Sequence, residues 1–261
     1  SDLAPAATAP LVVDMPAEEP PATADGAAPA KDLAQYRLDL AYLRFQRQFR
    51  GDEKQLRERQ QEYIARIRRH LPPEIKKPRV LDAACGDGIF VEVLRAQGWD
   101  ARGVDINRAM AKYGQDRNLP IDVDDAIHYL ESGERDAWDA ITAFQFVEHL
   151  PPKVLMAFLR AALYGLRPGG LLILETLNPN TLMAHKWFQF DLTHERLIFP
   201  QMMQLLMETA GFRHLVHEGI NPVPEHERMA LAGDVRCQAN FDRLNELLYG
   251  PQDYYIVGQK M

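Results

Sequence analysis

The chain has 261 residues, of which 46% are hydrophobic and 26% charged, with a formal net charge of -7. That length and composition support one α/β domain with a sizeable core plus appendages. The acidic balance argues against a generic nucleic-acid binder, which is usually basic. Two cysteines, Cys85 and Cys237, make neither a disulfide framework nor a thiolate metal cluster. No apolar run approaches the roughly 18 residues a membrane-spanning helix needs. The N-terminus lacks a basic-then-apolar leader pattern, so a cytoplasmic location is expected.

Residues 1–30 are rich in Ala, Pro and acid and are expected to be a disordered tail. Residues 31–73 form a separate helical segment. Leu33, Tyr36, Leu40, Leu43 and Phe45 to Phe49 give apolar spacings of three and four. Gly51-Asp52 breaks the pattern and Glu53 to Leu71 resumes it. This segment is dense in arginine, and most of those side chains belong to a solvated helical face.

From residue 74 to 261 strand and helix patterns alternate, as in an open α/β sheet. Strands are expected near 79–84, 101–105, 120–123, 138–144, 170–176, 213–218 and 254–260. Helices are expected near 88–97, 107–116, 125–132, 151–166, 199–210 and 238–248. Pro151-Pro152 suits the first turn of a helix, and Gly169-Gly170 closes the turn after it.

Val80 to Gly88 carry the most information. An apolar run ends in Asp82, a tight loop follows with Gly86 and Gly88, then a helix, then a second apolar run ending in Asp105. Glycines let a cofactor approach the backbone, and the acid after the second strand suits ribose hydroxyls. The dinucleotide fingerprint needs another glycine three residues after Gly88, where Val91 stands, and no Gly-Lys-Ser/Thr phosphate loop occurs. The pattern resembles motif I of class I S-adenosylmethionine (SAM)-dependent methyltransferases, Asp-x-Gly-x-Gly-x-Gly, with Ala84 at the first glycine. The resemblance implies a Rossmann-like seven-stranded sheet with its last strand antiparallel. It also implies that Asp82, Ala84, Gly86 and Gly88 form the cofactor cradle, that Asp105 binds both ribose hydroxyls, and that Ile106 packs on the adenine. Asp125 and Ala126 would meet the adenine edge. The ordinary alternative for Asp105 and Asp125 is a helix cap. Cys85 reads as a small buried residue inside the loop.

The fourth strand ends in Gln145-Phe146-Val147-Glu148-His149, where an open α/β sheet places its chemistry. A long insertion follows the fifth strand, with Asn178, Asn180 and Asp191-Leu192-Thr193-His194, and such loops usually carry function. Two readings are open for the histidines. In one, His149 or His194 is a general base that removes a proton from an acceptor hydroxyl. In the other, Glu148, His149 and His194, with Gln145, hold a divalent cation such as magnesium or manganese. Metal-dependent small-RNA terminal methyltransferases carry Glu-x-x-Glu-His plus a later His, and this chain is similar except for Gln145.

Beyond motif I, Glu175 to Asn180, Asp191 to His194 and Leu247 to Tyr254 resemble a group of bacterial methyltransferases from polysaccharide gene clusters. The similarity runs from about residue 34 to the end. It implies an O-methyltransferase acting on a sugar hydroxyl or terminal phosphate of a surface glycan such as O-antigen lipopolysaccharide. The partners would be the glycan or a lipid-linked oligosaccharide and glycosyltransferases of the same pathway. Glu148 joins the histidines as a candidate catalytic group, Asn178 and Asn180 are candidate substrate contacts, and Gln145 a cofactor contact. Arg59 or Arg50 would pair with the methionine carboxylate of SAM. The alternatives are an O-methyltransferase of a quinone-precursor hydroxyl or an RNA terminus, a small-molecule or RNA diol or phenol acceptor, and a SAM-binding scaffold without catalysis.

Overall fold

The structure, a computed structural model, describes residues 30–49, 53–230 and 237–261. The expected tail over 1–29, Arg50 and the Gly51-Asp52 break lie outside the described residues. Two helices lead the chain, α1 (Ala30–Phe49) and α2 (Glu53–His70). The alternating part follows as β1 (Arg79–Ala83), α3 (Ile89–Ala96), β2 (Asp100–Asp105), α4 (Arg108–Asp116), β3 (Ile121–Val123), α5 (Ala126–Ser132) and β4 (Trp138–Phe144). A 3-10 turn over Val147–His149 leads to α6 (Pro152–Gly165) and β5 (Leu166–Leu177). Then come α7 (Leu182–Phe190), α8 (Pro200–Ala210), β6 (Phe212–Pro222), α9 (Gln238–Tyr249) and β7 (Pro251–Lys260).

Among the described residues the strands form one seven-stranded sheet in the order β3-β2-β1-β4-β5-β7-β6. β1 to β5 pair in parallel, and β7 lies antiparallel between β5 and β6. The central β4 is buried at every residue, as a strand covered on both faces must be. One face carries Leu81, Ile141, Leu172, Ile256 and Tyr254 against Phe158 and Leu159 of α6 and Met203 and Met207 of α8. The other carries Val80, Phe144, Ile173 and Tyr255 against Tyr63 and Ile67 of α2 and Phe90 and Leu94 of α3. A third cluster packs Tyr36, Leu40 and Leu43 of α1 on Ala109 and Met110 of α4. The two N-terminal helices are therefore docked on the sheet domain.

Two expectations change. Gly169-Gly170 do not close a turn before β5. Trp138 pairs with Leu166 and Ala140 with Leu171, so Arg167 to Gly170 bulge out of a strand that has already begun. Gly169 takes φ 80 there, a left-handed angle glycine adopts at little cost. The insertion after β5 is also not all loop, because it contains α7. Only Ala184 of that helix is buried, so its sequence lacks the apolar stripe that announces a packed helix.

Phe158 is fully buried between α6 and the sheet. Phe158→Ala should cost about 3–5 kcal/mol of unfolding free energy in urea. Leu38→Ala, at a residue 65% exposed, should change it by less than about 0.5 kcal/mol. Equal effects at both positions would contradict this core assignment.

Candidate active site

The loop after β1 is shaped by three left-handed residues, Ala84 (φ 54), Gly86 (φ 59) and Gly88 (φ 81). Alternate residues at positive φ turn the backbone tightly and leave no Cβ at the two glycines. Ala84 is the one departure from the glycine pattern, and it holds the strained angle with its Cβ in place. Cys85 between them is buried, and a Cβ on Gly103 of β2 would lie 2.5 Å from its Sγ. Burial, with Asp105, Asp82 and Asp87 adding to it, holds that thiol well above its ordinary pKa, so it stays neutral. Cys85 is the small buried residue its setting suggested. Asp82 is held from below, where Thr142 Oγ1 donates to its Oδ1 at 2.7 Å.

Asp105 closes the cradle. Its Oδ2 accepts from Gly86 N and its Oδ1 from Asn107 N, both at 2.7 Å. Asn107 caps α4 by accepting from Met110 N, so Asp105 itself is not the cap. Ile106 beside it is 70% exposed. α1 crosses this rim: Asp39 Oδ2 accepts from Arg108 N, and Asn107 Nδ2 donates to Asp39 O. Asp125 does cap a helix, since its Oδ1 accepts from Ile127 N and His128 N. That is the ordinary alternative for this residue, and Ala126 next to it is buried in the core.

The second cluster lies at the ends of β4 and β5. Glu148, His149 and His194 each bring a ligand atom within 4.8 Å of the others. Their ring centroids place His149 4.6 Å from His194. Glu148 is fully buried, and neither carboxylate oxygen has a hydrogen-bond partner. Burial pushes its pKa up to about 8. Its own backbone N–H and the nearby Thr176 hydroxyl work against that rise, although the hydroxyl sits outside hydrogen-bond geometry. Buried polar atoms are normally paired, so an orphaned carboxylate points to an ion or water. Burial, then the charge of His194, lowers the pKa of His149 against the opposing pull of Asp191. The insertion docks here through backbone bonds from Glu195 N and Arg196 N to Glu148 O.

Three side chains that the sequence did not mark complete this region. Tyr42 of α1 donates to Asp191 Oδ2 at 3.1 Å and lies edge-on to His149. Thr193 Oγ1 donates to Asp191 Oδ1 at 2.6 Å. Phe188 stacks on His194 with centroids 5.0 Å apart. Asp191 and Thr193 stand in a motif the sequence showed, but nothing local signalled their roles. Tyr42 gave no signal, because its partner is 149 residues away.

Other expected residues are placed differently. Gln145 Nε2 donates to Glu175 Oε1 and Asp253 Oδ1, both at 3.1 Å, so only its carbonyl remains for a ligand or cofactor. Glu175 also accepts from the Tyr63 hydroxyl, and Asp253 from Asn221 Nδ2. Burial, then Glu175, pushes Asp253 up to about 7, while Arg59 lowers it. Arg59 is exposed, and its charge acts on Asp253 near the start of β7. Asn178 is not free for substrate. Its Nδ2 donates to Pro251 O, and its Oδ1 accepts from Asn180 N and Nδ2. Its amide latches the insertion to β7 because burial demands partners for both ends. Asn180 is exposed, on a cavity of about 520 Å³ walled by Arg243, Glu246 and Tyr254. That cavity is lined by neither the loop 84–88 nor the two histidines.

The profile of a family described as a methyltransferase domain matches residues 56–218. The chain belongs to this family. The match covers β1 to β5, the glycine loop after β1 and both histidines. A ubiquinone biosynthesis O-methyltransferase of Chromobacterium violaceum is 30% identical over 175 residues, 60% of this chain and 74% of the relative. One from Burkholderia thailandensis is 27% identical over 181 residues, 63% of this chain and 75% of the relative. The crystal structure of a SAM-dependent methyltransferase from Archaeoglobus fulgidus superimposes with a TM-score of 0.75 at 30% identity, covering 84% of this chain and 99% of that one. A Haemonchus contortus phosphoethanolamine N-methyltransferase with bound SAM shares the fold at 15% identity and a TM-score of 0.55, over 76% of this chain and 52% of that one. The protein is thus a SAM-dependent methyltransferase, with SAM as its methyl donor. Among the described residues no helix is long and apolar enough to cross a membrane.

The raised pKa of Asp253 fixes the sign of one pH effect. The folded state keeps the proton longer than the unfolded chain, whose value is 3.8, so the stability gained is complete below about that pH and lost as pH rises through about 7. Denaturant titrations of the wild type should show this decline, and Asp253→Asn should flatten it. A variant with the wild-type slope would assign the decline to other groups.

Proposed function

We propose that the chain transfers the methyl group of SAM to one hydroxyl of a vicinal diol on the aromatic ring of a quinone precursor. The observation that carries this reading is the orphaned Glu148 carboxylate set against two imidazoles at the loop-side edge of the sheet. Tyr42 and Phe188 meet those imidazoles, Phe45 and Phe190 extend the aromatic cluster from Tyr42, and together they suit a flat aromatic acceptor. The relatives named for ubiquinone biosynthesis point the same way.

The residues act in distinct places. The loop from Ala84 to Gly88 holds the methionine part of the donor, and Asp105 takes the ribose hydroxyls. α1, clamped on Asn107 and Arg108, roofs the cleft and keeps water from the sulfonium. The acceptor oxygen attacks the methyl carbon in line as the carbon–sulfur bond breaks, and S-adenosylhomocysteine leaves. The hydroxyl proton passes to an imidazole, for which His149 is suited because its lowered pKa keeps it neutral.

Glu148, His149 and His194 also fit a divalent cation, because a buried carboxylate without partners is relieved by one. Two imidazole nitrogens in that set favour a softer ion than magnesium. A cation held there would lower the pKa of the acceptor hydroxyl and orient the diol. Gln145 is a weaker fourth ligand than a glutamate.

A sugar hydroxyl of a surface glycan is the second reading. It is supported by the segments Glu175 to Asn180 and Asp191 to His194, which resemble enzymes of polysaccharide clusters and here build the lid and its latch.

Labelled SAM offered with catechols, prenylated catechols and sugars should give product with the aromatic diols. Turnover with sugars alone would replace the first reading by the second. His149→Ala and His194→Ala should each abolish turnover, while SAM affinity by calorimetry stays near wild type. Full activity in both variants would remove the proposed mechanism. Asp105→Asn should weaken SAM about 10–100-fold, the worth of charge-assisted hydrogen bonds of about 1.5–3 kcal/mol. Unchanged affinity would move the ribose elsewhere.

A further inference from the structure

We propose that Asp191, Thr193 and Tyr42 are positioning residues that lock His149 into one tautomer, with its proton on Nδ1 and its lone pair on Nε2. This rests on the reading of His149 as a base or ligand, and it concerns how the ring is prepared for either task.

The assignment follows from counting donors. His149 Nδ1 lies 2.9 Å from Thr193 Oγ1 and 3.3 Å from Thr193 O. The carbonyl can only accept. The hydroxyl has one proton, and it is spent on Asp191 Oδ1 at 2.6 Å, a distance typical of a charge-assisted bond. What the hydroxyl offers to the ring is therefore a lone pair. Both neighbours of Nδ1 are acceptors, so Nδ1 carries the hydrogen. In the neutral ring the lone pair is left on Nε2, where a base or a metal ligand needs it.

The carboxylate that orients Thr193 is itself held from two sides. Thr193 N donates to Asp191 Oδ1 at 2.8 Å, and the Tyr42 hydroxyl donates to Oδ2. Gln46 Nε2 donates in turn to the Tyr42 oxygen at 2.9 Å, which commits the tyrosine proton to Asp191. Asp191 is buried, and the two bonds from Thr193 and the one from Tyr42 satisfy its oxygens. His194 is fixed by the same logic through another partner, since its Nδ1 lies 2.9 Å from the Phe188 carbonyl. The two rings thus share one tautomer but owe it to different groups. Tyr42 of α1 lies outside the matched residues 56–218.

A merely local turn at Asp191-Leu192-Thr193 would use the Asp191–Thr193 bonds without needing the ring. The two cases separate by the tautomer of His149. The test is long-range nitrogen–proton NMR of the full chain labelled with 15N-histidine, without added metal, at a pH where the ring is neutral. Wild type should show both His149 and His194 protonated on Nδ1. Thr193→Val should move His149 toward the Nε2–H form and leave His194 unchanged, and Thr193→Ser should restore it. Tyr42→Phe should produce a smaller shift in the same direction. Circular dichroism and SAM affinity should match wild type in all three, which separates the relay from misfolding. Manganese or zinc affinity, measured by calorimetry, should fall about 10–100-fold in Thr193→Val, the usual cost of losing a ligand's orienting partner. If wild type binds neither ion, the cation reading fails while the NMR result still decides the relay. A wild-type His149 protonated on Nε2, or an unchanged His149 in Thr193→Val, overturns the proposal.

Discussion

The carboxylate of Asp105 joins the parts from which the cleft is built. One oxygen takes the N–H of Gly86 in the loop after β1, and the other takes that of Asn107 at the start of α4. Two strand ends are thereby held at fixed separation by one side chain. Asn107 passes the constraint on, since its amide and the next backbone N–H both bond to Asp39 of α1. The loop, the second strand and the roof then move together or not at all. A buried carboxylate accepting backbone N–H groups is a strong tie, because each bond is charge-assisted and shielded from water.

The roof has a second anchorage at the other end of the cleft. Tyr42 reaches Asp191, and Phe45 and Phe49 meet Phe190 of α7. α1 therefore touches the glycine-loop side through Asp39 and the histidine side through Tyr42, which are three residues apart and so lie near one face of the helix. In the proposed reaction a helix placed this way would keep water from both reacting groups. The methyl donor is a cation and needs no phosphate cradle, which accounts for a loop built from backbone turns rather than from lysine or arginine.

The loop-side edge of the sheet carries a concentration of acid on both faces. β7 enters antiparallel beside β5 and pairs Glu175 with Tyr255 and Thr176 with Tyr254. Strand alternation then sends Glu175 and Asp253 toward α2, and Thr176 toward α6. Glu148 sits close enough to feel both acids, and burial pushes Glu148 and Asp253 toward their neutral forms. Gln145 bridges Glu175 and Asp253 and holds that pair in place. Glu148, with no such bridge, keeps its two oxygens for whatever enters from the histidine side.

Much of this was written in short stretches of chain. The apolar runs of β1 and β4, the glycine loop, Asp105 and the proline-led α6 follow from local periodicity and turn chemistry, and they fix the fold and the donor. Gln145, Glu148, His149 and His194 were legible as polar residues where polar residues are costly. The seven strands were found because strand signals need only a few neighbours, and the reversal of the last was what the family resemblance implied. The insertion was harder: α7 buries one residue, so nothing in its pattern distinguished helix from loop. Asn178 looked like a substrate contact and is a latch, since the carbonyl that claims it comes from Pro251, 73 residues later. The sequence by itself determined most of the element types, the glycine turn after β1 and the chemical identity of the groups at the sheet edge. Only the tertiary structure decided which of them meet, that the Tyr42 hydroxyl donates to Asp191, and that the Glu148 carboxylate is left without a hydrogen-bond partner. Those contacts join residues far apart in the chain, and local propensity carries no information about which distant donors and acceptors packing will bring within 3 Å of each other.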